Sequence, residues 1–148
     1  MMMDQRAVSQ LIGLILVLAI ESIVVASALY GTSAYVDSRV KQLGVLQAHG
    51  VVNSVANAVT EAVAVSRLFP NVNYSQTISV PLKLGDRYYY LEITTDTVYA
   101  NSTDGSIQVN STTYKVENIP VQGRVFVSSE EIEVAYENGG VVLRQTRG

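Results

Sequence analysis

Hydrophobic positions change rhythm twice along this chain. From Leu11 to Leu29 there is no rhythm: fifteen of nineteen residues are Ala, Val, Ile or Leu, the exceptions being Gly13, Glu21, Ser22 and Ser27. As a helix rising about 1.5 Å per residue this segment spans roughly 29 Å, close to a bilayer's hydrocarbon core of about 30 Å. From Tyr30 to Phe69 apolar residues recur at helical spacing, and no proline intervenes before Pro70. Val45, Ala48, Val52, Val55, Val59, Ala62 or Val63, and Phe69 fall on one stripe, which Ser66 interrupts. Val36, Val40 and Leu43 lie on another azimuth, so the buried face is expected to change near Gly44. The pattern predicts a single helix from about Val8 to Leu68, roughly 90 Å long, with Pro70 as its stop. Valine is a mediocre helix former, and Gly44 and Gly50 cost about 1 kcal/mol each against alanine, so packing must supply the stability.

Period two replaces period 3.6 after Asn71. Ile78, Val80, Leu82 and Leu84 alternate with polar positions, and Gly85-Asp86 is expected to turn the chain into Arg87–Thr95, with Tyr89, Leu91 and Ile93 on one face. Asn101–Gly105 reads as a turn cluster, and Asn110-Ser111 as a turn between Ser106–Val109 and Thr112–Glu117. Val121, Val125 and Val127 continue the pattern. Ile132, Val134 and Tyr136 then alternate with Glu131, Glu133 and Ala135, and Asn138-Gly139 forms a hairpin into Val141–Gln145. Pro81 belongs on an edge strand. The expected fold class is α+β: a long N-terminal helix followed by six to eight short antiparallel strands, as a small β-sandwich or a sheet packed on the helix. The expected division is a leader at 1–7, a helix at 8–69 containing the apolar segment 11–29, and a β domain at 70–148, giving the outline of a lollipop.

Composition narrows the chemistry. Ten basic and 13 acidic residues give a net charge of −3, with no basic footprint for nucleic acid. Zero cysteines exclude disulfides, thiolate metal sites and a cysteine nucleophile, and a single histidine leaves little for metal or acid–base chemistry. His49 sits at a helical position beside Gly50 and reads as packing or solvated. Glu130, Glu131, Glu133 and Glu137 alternate with apolar residues and read as a solvated strand face. Tyr88-Tyr89-Tyr90 reads as strand packing. No nucleophile–base pair, phosphate loop or ligand cluster stands out, so neither an enzyme nor a cofactor is expected. Three Asn-x-Ser/Thr sequons begin at Asn73, Asn101 and Asn110 and are candidate N-glycosylation sites, two of them at expected turns. A carboxylate in the middle of an apolar helix costs about 2.5–3.5 kcal/mol on insertion scales. Glu21 therefore either inserts protonated, bonds to Ser22 or a neighbouring helix, or finds an interhelical partner in an assembled bundle.

The lead-in MMMDQRAVSQ differs from a secretory signal, because its small residues Ala7 and Ser9 precede the apolar run rather than follow it. Arg6-Ala7-Val8-Ser9, followed by Leu11-Ile12-Gly13 and the aliphatic run, resembles the class III signal peptide of archaeal type IV pilins. That resemblance, which covers about the first thirty residues, implies cleavage on the cytoplasmic side between Ala7 and Val8, or after Arg6, leaving the apolar helix on the mature protein. The helix-then-sheet organisation is also similar to that family. The sequence departs from bacterial pilins, which carry glutamate at the fifth mature position, where this chain has Ile12, or Leu11 with the other cut. The resemblance implies a structural subunit inserted in the membrane as a precursor and then built into an extracellular filament used for adhesion. Its partners would be identical subunits, a prepilin peptidase and pilus assembly machinery. Leu11, Ile12, Gly13, Ala19, Glu21, Ser22 and Ala26 would lie in the filament core, where small residues allow close helix approach, with the β domains as the outer wall. An archaellin or archaellum component, and a membrane-anchored β binding module, are the alternatives.

Overall fold

The computed structural model describes residues 5–69, 71–113 and 119–146, with the backbone alone at 5–7. Helix α1 runs over Gln5–Leu68. Seven strands follow: β1 (Tyr74–Ser79), β2 (Tyr89–Ile93), β3 (Thr97–Ser102), β4 (Gln108–Thr112), β5 (Val121–Phe126), β6 (Glu131–Glu137) and β7 (Gly140–Gln145). They form one sheet in the order β1-β6-β7-β5-β2-β3-β4. The fold is α+β, a long N-terminal helix followed by a single seven-stranded sheet. The sheet is mixed rather than antiparallel, because β5 and β7 pair in parallel, Val121 opposite Val141 and Gln122 opposite Val142, and no second sheet makes a sandwich among the described residues. The chain divides into two compact units, Met1–Arg39 and Val40–Gly148, so the second part of α1 belongs to the same unit as the sheet.

In that second unit the helix buries one face. Ala48, Val51, Val52, Val55, Ala56, Ala58, Val59, Ala62 and Val63 join a single core with the inward side chains of the sheet, among them Tyr89, Leu91, Ile93, Val98, Ile132 and Val134. Small helix residues facing large sheet residues let the two layers interdigitate at interior density. Each fully buried valine or leucine contributes about 1.5–3 kcal/mol relative to exposure, which offsets the poor helix propensity of the valine-rich stretch. Gly44 is needed for this approach: a Cβ there would lie 2.5 Å from Ile107 Cδ1 and 3.0 Å from the Leu84 backbone. Close by, Gly85 donates its N–H to Gln47 Oε1 at 2.7 Å, tying a loop to the helix.

Two details of the stripe depart from expectation. Ser66 does not interrupt it: the residue is buried, and its hydroxyl donates to the Val63 carbonyl at 2.7 Å, so no polar group is orphaned. Phe69 is not part of it. It lies beyond the helix end and is 57% exposed. The expected stop at Pro70 lies outside the described residues; the helix ends at Leu68 with Arg67 in its last turn, where a cation suits the helix dipole.

The strands show where local pattern decides and where it does not. Tyr89, Leu91 and Ile93 all face the core, as do Ile132, Val134 and Tyr136, although Ala135 is buried as well. The β6–β7 hairpin turns on Asn138 and Gly139, both with positive φ (52° and 81°), as a type I′ turn requires. Gly85-Asp86 also forms a tight turn, with Leu84 and Arg87 exchanging backbone hydrogen bonds of 2.9 and 3.1 Å. That turn joins only an isolated bridge, however, and β1 pairs with β6, not β2. The physical reason is Pro81: Val80 still donates to the Glu130 carbonyl at 2.8 Å, but the next residue has no N–H, and the chain leaves the sheet. Asn110-Ser111 is not a turn. Both residues are paired within β4, opposite Tyr99 and Val98, because continuous pairing satisfies the ladder that β3 offers. Residues 114–117 of the expected following strand lie outside the described residues.

Two outcomes follow from the shared core. A fragment of residues 40–148 is expected to unfold cooperatively on heating, whereas a fragment of 71–148 exposes its apolar sheet face and is expected to aggregate; equal melting of the two would remove the helix from the core. Gly44→Val in the longer fragment is expected to lose about 1–3 kcal/mol in chemical denaturation, the usual cost of overpacking.

Candidate functional site

The first unit holds the apolar segment. Between Leu11 and Leu29 every large aliphatic side chain is 52–67% exposed. This part of α1 is long and apolar enough to cross a membrane, and none of its apolar window is buried in the chain. Its hydroxyls need no outside partner. Ser22 donates to the Leu18 carbonyl and Ser27 to the Ile23 carbonyl, both at 2.7 Å, and just beyond, Thr32 donates to Ala28 at 2.8 Å. An i−4 bond of this kind satisfies the hydroxyl where water is absent. Glu21 is the only ionisable residue from Leu11 to Leu29.

Helical geometry sorts the expected core residues. Ile12, Ala19 and Ala26 follow one another at seven-residue spacing, with Ser22 beside them, and so share a face; Gly13 is turned about 100° away from Ile12. On that side, Leu18, Glu21, Ser22, Val25, Ala26 and Leu29 line a shallow concavity whose floor is the small pair Ser22 and Ala26. The structure thus brings Glu21, Ser22 and Ala26 together, next to Ala19; Leu11 lies about 20° from Ser22 around the axis, on the same side, and Gly13 faces the opposite side of the helix. Val8 is exposed; the side chains of Arg6 and Ala7 at the expected cleavage junction lie outside the described residues. Sequence reasoning passed over Tyr30 and Tyr35, which stand exposed directly after the span, with Arg39 Nε donating to the Tyr35 hydroxyl at 3.0 Å. Tyrosine beside charge is the composition of a membrane–water interface, and the spacing after the apolar run was the available signal.

The sheet's second face, away from the core, gathers the other candidates. One row across the strands runs Phe126, Tyr90, Asn101 and Gln108. The next runs Arg124, Glu92, Tyr99 and Asn110. The Arg124 guanidinium lies 4.1 Å from the centre of the Tyr90 ring, and Lys83 Nζ lies 4.5 Å from that of Tyr88. Tyr88 and Phe126 are half-exposed, with ring centres 6.2 Å apart. Of the tyrosine triplet only Tyr89 is core; its hydroxyl donates to the Pro81 carbonyl at 2.7 Å, and burial pushes its ionisation upward. Asn73 lies apart, exposed just before β1 at the opposite edge. His49 is exposed on the helix.

A family model described as a family of unknown function, DUF7266, matches residues 3–145. The chain belongs to the DUF7266 family. No curated protein and no solved structure matches it. The match takes in both the apolar helix and the sheet, so this family unites the two units.

Four acidic residues of the sheet unit, Asp86, Asp104, Glu133 and Glu137, take part in ion pairs. Of the expected solvated glutamate face, Glu130 and Glu131 are exposed, while Arg144 on β7 bonds Glu133 at 2.8 Å and Glu137 at 3.1 Å, both on β6, as a cross-strand pair of contacts. Hydrogen bonds from Arg144 hold the Glu133 carboxyl below its ordinary range. Among the described residues no group of three His, Cys, Asp or Glu is placed to hold a metal ion. In the β3–β4 turn, Asp104 Oδ1 accepts from the Ser102 hydroxyl at 2.6 Å and from both the N–H and the hydroxyl of Ser106, at 3.0 and 2.7 Å. Its Oδ2 accepts from Arg87 Nε at 2.7 Å. These bonds, the Ser102 hydroxyl foremost, hold the Asp104 carboxyl well below its ordinary 3.8. A depressed carboxyl stabilises the fold above its unfolded-state value and loses that contribution as pH falls towards the folded one. The melting temperature of 40–148 is therefore expected to fall as pH drops below about 3.8. Asp104→Asn should lower it at neutral pH and flatten that acid dependence, as scanning calorimetry across pH would show.

Proposed function

We propose that this chain is a structural subunit of an extracellular archaeal type IV pilus-like filament that polymerises through residues 11–29. The observation that carries the reading is an exposed apolar helix face with Ala19, Ser22 and Ala26 at its centre, free of unsatisfied hydroxyls. A membrane-crossing helix needs only sufficient hydrophobicity; a stripe of small residues is what close helix–helix packing requires. Leaving lipid, the segment avoids water only against copies of itself. The precursor sits in the cell membrane, a prepilin peptidase cuts between Ala7 and Val8 or after Arg6, and assembly machinery builds a homopolymer whose core is this helix. Adhesion is the use suggested by resemblance, and the reading gives the chain no catalytic role, cofactor or nucleic-acid partner. The exposed Tyr30 and Tyr35 favour a second reading, a membrane-anchored binding module that never leaves the bilayer. An archaellum component shares all the features of the first.

Substitutions that a membrane tolerates and a packed core does not will separate the readings. Ala19→Arg adds about 2.5–3.5 kcal/mol to insertion, yet in a water-free filament core the arginine meets apolar neighbours from every side. Ala26→Leu overpacks the concavity at about 1–3 kcal/mol, repeated in every subunit. Both variants are expected to be inserted and cut, giving a mature N-terminus at Val8 or Ala7, while electron microscopy of sheared surface material finds few or no filaments. Normal filament abundance with Ala19→Arg would make the segment an anchor only, and an intact MMMDQR leader on surface-exposed protein would end the pilin reading.

A further inference from the structure

The register of β2, β3 and β4 puts two of the three sequons on a common face with tyrosines beside them. Asn101 pairs directly with Tyr90 and Asn110 with Tyr99, and directly paired residues project to the same side at about 4.5–5.5 Å between Cβ atoms. Thr103 and Thr112, the hydroxyl residues that complete the two sequons, are exposed, as is Asn110. Among the described strands β4 is the outermost, and its five residues, Gln108 to Thr112, include no charge and no proline. Edge strands with neither guard are open to pairing with other chains. The half-exposed rings of Tyr88 and Phe126 lie further in, before β2 and on β5, with β3 between them and the edge. Asn110 stands on the edge strand itself, and Asn101 on β3 stands in one row with Tyr90 and Phe126, so a bulky polar group at each would cover both liabilities.

We infer that Asn101 and Asn110 carry N-linked oligosaccharides that lie across Tyr90 and Tyr99 and shield the outer face and β4 edge of the sheet. The reaction needs a polyprenyl-phosphate-linked oligosaccharide and a membrane transferase. Asparagine Nδ2 attacks the anomeric carbon, the C1–N bond forms as the C1–O bond breaks, and the lipid phosphate leaves with the bonding electrons. The amide proton passes to a base on the transferase, and nothing is oxidised or reduced. Once attached, the apolar faces of the sugar rings stack on the tyrosines while their hydroxyls remain in water. The inference rests on the proposed function in one respect, that the sheet unit lies outside the cell.

The test is peptide mass spectrometry on the full chain recovered from cells that make it, together with protease treatment of those cells intact. Peptides containing Asn101 and Asn110 are expected to carry a sugar mass. Thr112→Ala should remove it from Asn110 while Thr112→Ser retains it, a pair that separates loss of the sequon from misfolding. Tyr99→Ala should keep the sugar at Asn110 but shrink the difference in melting temperature between the glycosylated chain and Asn110→Gln. Unmodified asparagines in a sheet unit that external protease cleaves would overturn this inference and leave the filament standing. Unmodified asparagines in a unit protected inside the cell would overturn both.

Discussion

Close approach between a helix of small residues and a sheet of large ones is the constraint on which the globular part of this chain depends. Alanines and valines along one face of α1, with Gly44 at the start of the contact, let Tyr89, Leu91 and Ile132 fill the space between the layers. Neither partner is self-sufficient. A valine-rich helix is a poor isolated helix, and a single sheet with one apolar face needs a cover. The helix cannot be treated as an appendage to the sheet, since among the described residues its stretch from Ala48 to Val63 supplies nine of the 25 buried residues of the core.

The same element changes task along its length with no break in its hydrogen bonding. Before Arg39 its large apolar side chains, among the described residues, are exposed; after Val40 one face of it, from Ala48 to Val63, is buried. What distinguishes the two parts is composition: bulky Leu and Ile all round in the first, a one-sided Ala and Val stripe in the second. An all-round apolar surface suits lipid or a ring of identical neighbours, while a stripe suits one sheet.

Much of this was legible in the sequence because it is local. The shift from unbroken hydrophobicity to period 3.6 to period two marks the span, the packed helix and the strands, and Asn138-Gly139 announces its hairpin through residues that tolerate positive φ. Strand partners were not legible. β1 finds β6 more than fifty residues away, β5 lies parallel to β7, and nothing in the alternation of Thr77, Ile78 and Ser79 says so. β3 escaped notice because Val98 and Ala100 give a weak apolar signal between polar neighbours. For the candidate site, the apolar segment and its small residues could be read directly. That Asn110 sits opposite a tyrosine within a strand, rather than in a turn, depends on register, which only the partner strand determines.

The position of β5 in the sheet order has a consequence for how the chain is built. On one side of it lies a meander, β2-β3-β4, made of neighbours in sequence; on the other lies the β6–β7 hairpin, equally local. Loop closure makes such short-range pieces the quick ones to form. β5 alone joins them, pairing antiparallel with β2 and parallel with β7. For a chain emerging amino end first, the meander can form early, but β1 waits beside an unfinished sheet until Glu131–Glu137 arrives. The sheet of this unit is thus completed only by its last strands; the meander can cover the helix face before they arrive, but the whole core cannot until they do.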